Sequence, residues 1–238
     1  MFDMLFFKAY YYITVSRLIK KISKAKGLPP GTLVHIGEQK NSKVKITLID
    51  YDQSNFQEKE LSSVEECFSY KDKATVSWIN IDGVHQVDLI EKIGTQFGLH
   101  PLILEDIVNT SQRPKMEDYE NYLFIVLKMI YANNQSQILT EQVSLVIGKN
   151  FVISFQETEG DVFNSIRERI RNNKGRIRKL GADYLAYTLI DAIIDNYFVL
   201  LEKIGERLEL VSTRVCTFIA DLCFSHILPK PIPALGLA

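Results

Sequence analysis

The chain has 238 residues, 46% of them hydrophobic and 24% charged, a globular composition that excludes an intrinsically disordered chain. Lys and Arg number 28 against 29 Asp and Glu, so overall charge points to neither a nucleic-acid nor an acidic partner. The three cysteines, Cys67, Cys216 and Cys223, cannot all pair within one chain and form no CxxC, which argues against a disulfide scaffold or a Cys-rich zinc site and for a reducing compartment.

The elements follow in chain order. Residues 1–26 hold six basic side chains against Asp3 alone, a net +5 that leaves −6 for the remainder. Two readings of this extension stand: an amphipathic surface helix with Phe2, Leu5, Phe6 and Tyr10 on one side, or a poorly ordered leader. Its basic residues follow the apolar run, the reverse of a signal peptide. No uncharged apolar stretch reaches about 18 residues, so a membrane span is not expected and the chain reads as soluble.

Gly27-Leu28-Pro29-Pro30-Gly31 punctuates the start of the folded part. Val44–Tyr51 alternates polar and apolar side chains, as a half-buried strand does. Ser62-Ser63-Val64-Glu65-Glu66 carries a capping-box signal for a short helix. Thr75–Ile81 alternates again, with Trp78 at a core position, and ends on the turn pair Asp82-Gly83. Two helices are expected next. Val87–Phe97 has Leu89, Ile90, Ile93 and Phe97 at helical spacing and Gly98 as its stop. Pro101–Val108 starts on a good first-turn residue, with His100 just before it.

Gln112-Arg113-Pro114 then breaks the chain. Strands are expected at Tyr122–Tyr131, Gln142–Ile147 and Phe151–Phe155, the last two joined by a tight hairpin at Gly148-Lys149-Asn150. From Val162 the chain turns helical and basic, with five Arg between 167 and 178. Aromatic residues do not interleave with them, so a solvated helical hairpin lying against the acids of another helix is favoured over a nucleic-acid surface. A long helix follows from Asp183 to Val211, about 43 Å at the usual rise. Leu185, Leu189, Ile193, Tyr197, Leu200, Ile204, Leu208 and Val211 keep an apolar stripe on it that calls for a partner. Pro229, Pro231 and Pro233 forbid helix at the end.

The fold class expected is α/β: a mixed, mainly antiparallel sheet sandwiched by helices, then a long helix. The domain reading is 1–26 as an extension, 27–181 as the α/β domain, 182–214 as the long helix and 215–238 as an apolar, Pro-rich tail.

Among residues able to carry chemistry, the acids stand out. Glu105 and Asp106 are neighbours on a short helix, about 100° apart, and so serve two sites or one site completed by another subunit. Asp191 and Asp195 are four apart on one helical face and repel each other unless a cation or a base lies between them. A solvated helix face is the alternative for both pairs. His35, His85, His100 and His226 form no zinc spacing, and no nucleophile elbow, P-loop or dinucleotide motif occurs. An enzyme is not expected.

Several blocks stand in one order: Gly27–Val34, Trp78-Ile79-Asn80, His100–Asp106, Gln112–Lys115, Glu141–Ser144, Asp183-Tyr184-Leu185 and Leu189–Phe198. Together they resemble the cytoplasmic domain of the CorA-type magnesium transporters, from about Lys26 to about Val211. The resemblance implies Mg2+ as ligand, with Co2+ or other divalent ions as substitutes. Its sites comprise Glu105, Asp106 and Asp191, with Asp195 a weaker member and Leu28 offering its backbone carbonyl. It also implies self-association, pentameric in the family, with cations at acid-rich seams holding subunits together; this chain alone could be monomeric. The stalk, the pore helix ending in Gly-Met-Asn and the second membrane helix have no counterpart here. The chain is therefore expected to be truncated before the pore, with membrane contact only through segments it lacks. A soluble oligomerising scaffold without cation function is the alternative reading.

Overall fold

The computed structural model describes residues 29, 32–37, 43–132 and 137–227, with side chains described as far as Asp221. Residues 1–28, including Leu28, and residues 228–238 lie outside this range. Contacts divide the chain into two units at Ile194 and Asp195.

The first unit is built on a seven-stranded sheet in the order β2-β1-β3-β7-β6-β5-β4. The strands are β1 (Lys45–Tyr51), β2 (Phe56–Leu61), β3 (Val76–Asp82), β4 (Lys115–Tyr119), β5 (Tyr122–Ala132), β6 (Ile138–Ile147) and β7 (Phe151–Gln156). All neighbours pair antiparallel except β3 and β7, which run parallel. The mixed, mainly antiparallel sheet between helices is therefore present. Two strands depart from the expectation. β2 and β4, the sheet edges, carry FQEKEL and KMEDY; a charged edge strand escapes hydropathy patterning because no second sheet neighbour asks it for apolar side chains.

One face of the sheet is covered by α1 (Val87–Phe97), α2 (Pro101–Val108) and a short 3-10 turn, Val64–Tyr70. Glu66 Oε1 accepts the Ser62 and Ser63 N–H groups at 2.9 and 3.2 Å, as the capping signal implied. Ile90, Ile93, Ile103 and Ile107 pack with Leu48, Ile79, Phe124 and Ile153 in a continuous core. Each such side chain stabilises the fold by about 1.5–3 kcal/mol relative to exposure. Gly98 ends α1 at φ +71, a left-handed conformation that a glycine adopts without strain. Gly94 lets α2 come close: a Cβ there would overlap Leu104.

The opposite face carries α3 (Asn164–Arg171) and the start of α4 (Ala182–Ile227). Phe163 meets Trp78 edge-on at 5.9 Å between ring centroids. Arg169 of α3 reaches the Tyr184 hydroxyl of α4 at 3.4 Å. Leu185, Leu189 and Ile193 are buried, so the first part of the expected apolar stripe belongs to the domain core.

The acids that the α3 arginines meet among the described residues stand on β2, in α3 itself and in the loop before it, not on another helix. Arg171 binds Glu58 of β2 through both Nε and Nη2, at 2.6 and 2.7 Å, and Arg178 donates to the Ile170 and Arg171 carbonyls.

The second unit is the remainder of α4. The helix runs to Ile227, past the expected end at 211–214. Leu201, Leu208, Leu210, Val211, Val215 and Phe218 are exposed on it. Over Ala182–Asp221 the helix is long and apolar enough to cross a membrane by length and composition. The expectation rested on uncharged apolar stretches of about 18 residues, which the charges along this helix interrupt; by overall hydropathy the helix is nonetheless a candidate span.

Candidate metal centre

α2 carries the adjacent acids. The His100 Nδ1 accepts the Leu102 N–H at 3.3 Å and Pro101 opens the first turn. Ile103, Leu104, Ile107 and Val108 then face the sheet and leave Glu105 and Asp106 on the half-buried side of the helix. Three carbonyls of the last turn find partners beyond the helix's own ladder, as a buried helix end requires. Glu105 O accepts from Asn109 N at 3.0 Å and Val108 O from Ile36 N at 3.1 Å. Asp106 O accepts from Gln142 Nε2 at 2.9 Å. Gln142 is a buried polar residue on β6 whose Oε1 takes Lys128 Nζ and Gln112 N–H, each at 3.1 Å. It thus pins α2, the 109–115 turn and the sheet to one another.

The Asp106 carboxylate faces an ammonium. Lys115, the first residue of β4, places Nζ 2.6 Å from Asp106 Oδ2 and 2.7 Å from Glu117 Oε1. The Asp106 side chain is only 15% exposed. Burial pushes its carboxyl above the usual range, against the pull of Lys115. Lys115 is itself desolvated, yet its bonds to the two acids hold it above the usual lysine range. Desolvation thus dominates at the acid and pairing at the ammonium, which has two carboxylates to serve. Glu117 is in turn fixed by the Tyr119 hydroxyl at 3.1 Å, and Tyr119 stacks between His100 and Tyr122.

The other expected ligands lie elsewhere. Asp191 is exposed on α4, across the sheet from α2, and Asp195 is exposed at the start of the second unit. The apolar neighbours of these two acids had implied a partly covered face; both are open. Among the described residues, no three His, Cys, Asp or Glu side chains gather where they would hold a metal ion. Within the first unit, Glu105 and Asp106 therefore stand together on α2, with Asp191 on the other face of the sheet.

A second charged centre went unread in the sequence. At the carboxyl ends of the parallel pair β3 and β7 lies a cavity of about 470 Å³, lined by Asn80, Asp82, Asp161, Arg167, Arg171 and others. Arg167 grips Asp161 through both terminal nitrogens, at 2.7 and 2.6 Å, and lies 5.0 Å over the Trp78 ring. Burial works against the Asp161 carboxylate, but Arg167 holds its pKa low. Among the described residues, Asp82 accepts the Asn80 amide, at 3.0 Å. Burial, with the Asp161 charge adding to it, pushes Asp82 up to about 7, although Asn80 and Arg167 oppose the shift.

Comparison with known proteins decides the family. The model for the CorA-like Mg2+ transporter protein matches residues 73–222.

This chain belongs to the CorA family.

The match extends past Ser212, where the resemblance to a stalk had been expected to stop. This CorA-family chain is 50% identical over 197 residues to a cobalt/magnesium transport protein CorA of Thermotoga maritima, covering 82% of this chain and 56% of that one. It is 36% identical over 113 residues to a metal ion transporter described as putative, YfjQ of Bacillus subtilis, covering 48% of this chain and 34% of that one. The chain thus spans about half the length of the first of these relatives and a third of the second. The soluble domain of CorA from Methanocaldococcus jannaschii superposes with a TM-score of 0.53 at 18% identity, over 72% of this chain and 64% of that one. The full-length CmaX protein does so at 0.58 and 14%, over 74% and 53%. At such identities these likenesses speak for the fold alone. The family is one of transporters.

Proposed function

We propose that this chain is the cation-sensing cytoplasmic part of a CorA-like Mg2+ transporter, with Mg2+ (Co2+ as a substitute) bound at seams between copies. One observation carries the reading: the desolvated Asp106 carboxylate is held against a positive charge, on the rim of a domain whose described residues gather no complete metal site. Mg2+ suits such a place, since it takes hard oxygen ligands and keeps several waters, needing only one or two carboxylates. Asp106 is the first ligand and Glu105 its neighbour. Asp191, from an adjoining copy, completes the set, with Asp195 subordinate and the Leu28 carbonyl a further contact outside the described residues. Transport of Mg2+ or Co2+ belongs to the whole protein in this reading. Loss of cytosolic Mg2+ would loosen the seams and shift the assembly toward an open pore, a population shift driven by the ion's preference for the packed state.

In this reading α4 is the beginning of a stalk rather than a membrane span. Its first turns supply core residues to the domain, and its exposed Leu208, Val211 and Val215 supply the contact between copies. That apolar surface also serves the scaffold alternative, which predicts association without metal.

The test is a Mg2+ titration of the chain, followed by thermal melting and by light scattering for oligomeric state. Mg2+ should raise the melting temperature and favour association in wild type, by mass action on the folded, assembled form. Asp106→Ala and Asp191→Ala should each lose most of that response. Equal shifts in variants and wild type would refute the assignment, and association indifferent to Mg2+ would favour the scaffold.

A further inference from the structure

We propose that Lys115 is the resident counter-ion of Asp106, a tethered ammonium that a divalent cation must displace to bind. The inference rests on the reading of Asp106 as a cation ligand and adds what holds the site when no metal is there.

The geometry has three parts. First, Asp106 has too little water to stand alone. Its side chain is 15% exposed, and its Oδ2 accepts Lys115 Nζ at 2.6 Å. Leaving such a carboxylate without any cation is costly, because its hydration has already been removed. The carboxylate form therefore calls for a cation beside it, and the ammonium is the one in place.

Second, the ammonium has somewhere to go. Nζ is also 2.7 Å from Glu117 Oε1, two residues along the same edge strand. The Glu117 carboxylate is kept in place by Tyr119. The Lys115 side chain is 29% exposed, so it can release Asp106 while keeping Glu117 and regaining water. Displacement therefore strands no buried charge on the lysine side.

Third, the backbone is built for a swing of the side chain alone. β4 is an edge strand paired only with β5, and the adjoining turn is anchored at Gln112 by Gln142. The strand stays put while a flexible four-carbon stem moves. Lys115 is thus an affinity-setting residue. The metal-free site is a satisfied ion pair, and the ion enters by exchange for a charge the protein already supplies. To bind, the ion must break the charge-assisted bond between Lys115 Nζ and Asp106 Oδ2, a strong interaction at 2.6 Å. Removing the competitor should therefore tighten divalent binding by about tenfold or more.

The experiment is calorimetric titration of the full chain with Co2+ and with Mg2+, in wild type, Lys115→Met, Lys115→Arg and Asp106→Asn, each checked by circular dichroism. Lys115→Met keeps the apolar stem and loses the charge. It should bind about tenfold or more tightly than wild type. Lys115→Arg should stay near wild type, and the double variant Lys115→Met/Asp106→Asn should be as weak as Asp106→Asn alone. In the absence of metal, Lys115→Met should melt a few degrees below wild type, and Mg2+ should close that gap. Unchanged or weaker binding by Lys115→Met, while Asp106→Asn abolishes it, overturns the counter-ion role and leaves Asp106 as ligand. Binding insensitive to Asp106→Asn overturns the reading of the site itself. An unchanged metal-free melting temperature in Lys115→Met overturns the role of Lys115 whatever the metal does.

Discussion

Asp82 and Asp106 are both carboxylates short of water, on opposite faces of one sheet, and they meet that shortage differently. Asp106 sits at the sheet's rim with an ammonium 2.6 Å away. Asp82 sits at the end of a central strand, and its hydrogen-bond partner is the Asn80 amide. Nearby cations are committed to other acids: Arg167 to Asp161 and Lys45, opposite Asp82 on β1, to Glu159. With its described hydrogen bond coming from an amide, Asp82 takes up a proton near neutrality, whereas at Asp106 the Lys115 ammonium opposes the upward shift that burial imposes. Only the second arrangement is suited to ion exchange, because a bound ammonium can be replaced by a metal at constant local sign. The first is a proton-binding centre wired into the core.

Three variants sharpen or break this contrast. The largest effect belongs to Arg167→Ala, which leaves the Asp161 side chain, 4% exposed, without its cation. A loss of about 3–5 kcal/mol is expected in urea unfolding; a loss below about 1 kcal/mol would mean that the cavity admits enough water to solvate Asp161.

Next comes Asp82→Asn. The folded carboxyl has a pKa of about 7 against an ordinary 3.8. Between those values the folded chain holds a proton that the unfolded chain has released. This group's contribution to stability therefore falls as pH rises from about 4 to about 7, and the penalty is complete above that. The Asn variant should be more stable than wild type at pH 8 by a few kcal/mol at most, roughly 2–4 by linkage. The two should converge near pH 4. Parallel stability curves for variant and wild type would place the titration elsewhere.

The smallest effect is expected for Asp106→Asn in metal-free protein. Lys115 keeps Glu117, so the change should stay within about 1 kcal/mol by the same unfolding measurement. A larger loss would make the Asp106–Lys115 pair a structural element rather than an exchangeable one.

Much of the candidate centre was legible as residue types but not as a constellation. Glu105 and Asp106 were visible as adjacent acids on a helix whose start, His100-Pro101, and whose register were also visible. Lys115 and Gln142 lay inside sequence blocks that mark the family, yet nothing local gave them a role. Their partners are 9 and 36 residues away. A buried glutamine in an apolar strand was a usable signal for Gln142, since such a group must find a partner. Asp82 read as half of a turn pair; its burial came from α3 and the loop before it, about 80 residues later in the chain.

Local chemistry alone was enough for α1 and α2, the β6–β7 hairpin and the core position of Trp78. In each of these, periodicity, a cap or a turn residue acts over a few positions and outweighs its alternatives without help. β2 and β4, the division of the apolar stripe between the domain core and exposed surface, and both charged centres were decided only in three dimensions. An edge strand is defined by the neighbour that supplies its hydrogen bonds. The state of a carboxylate is set by which cation and how much water surround it, and those are properties of packing between segments far apart in the chain.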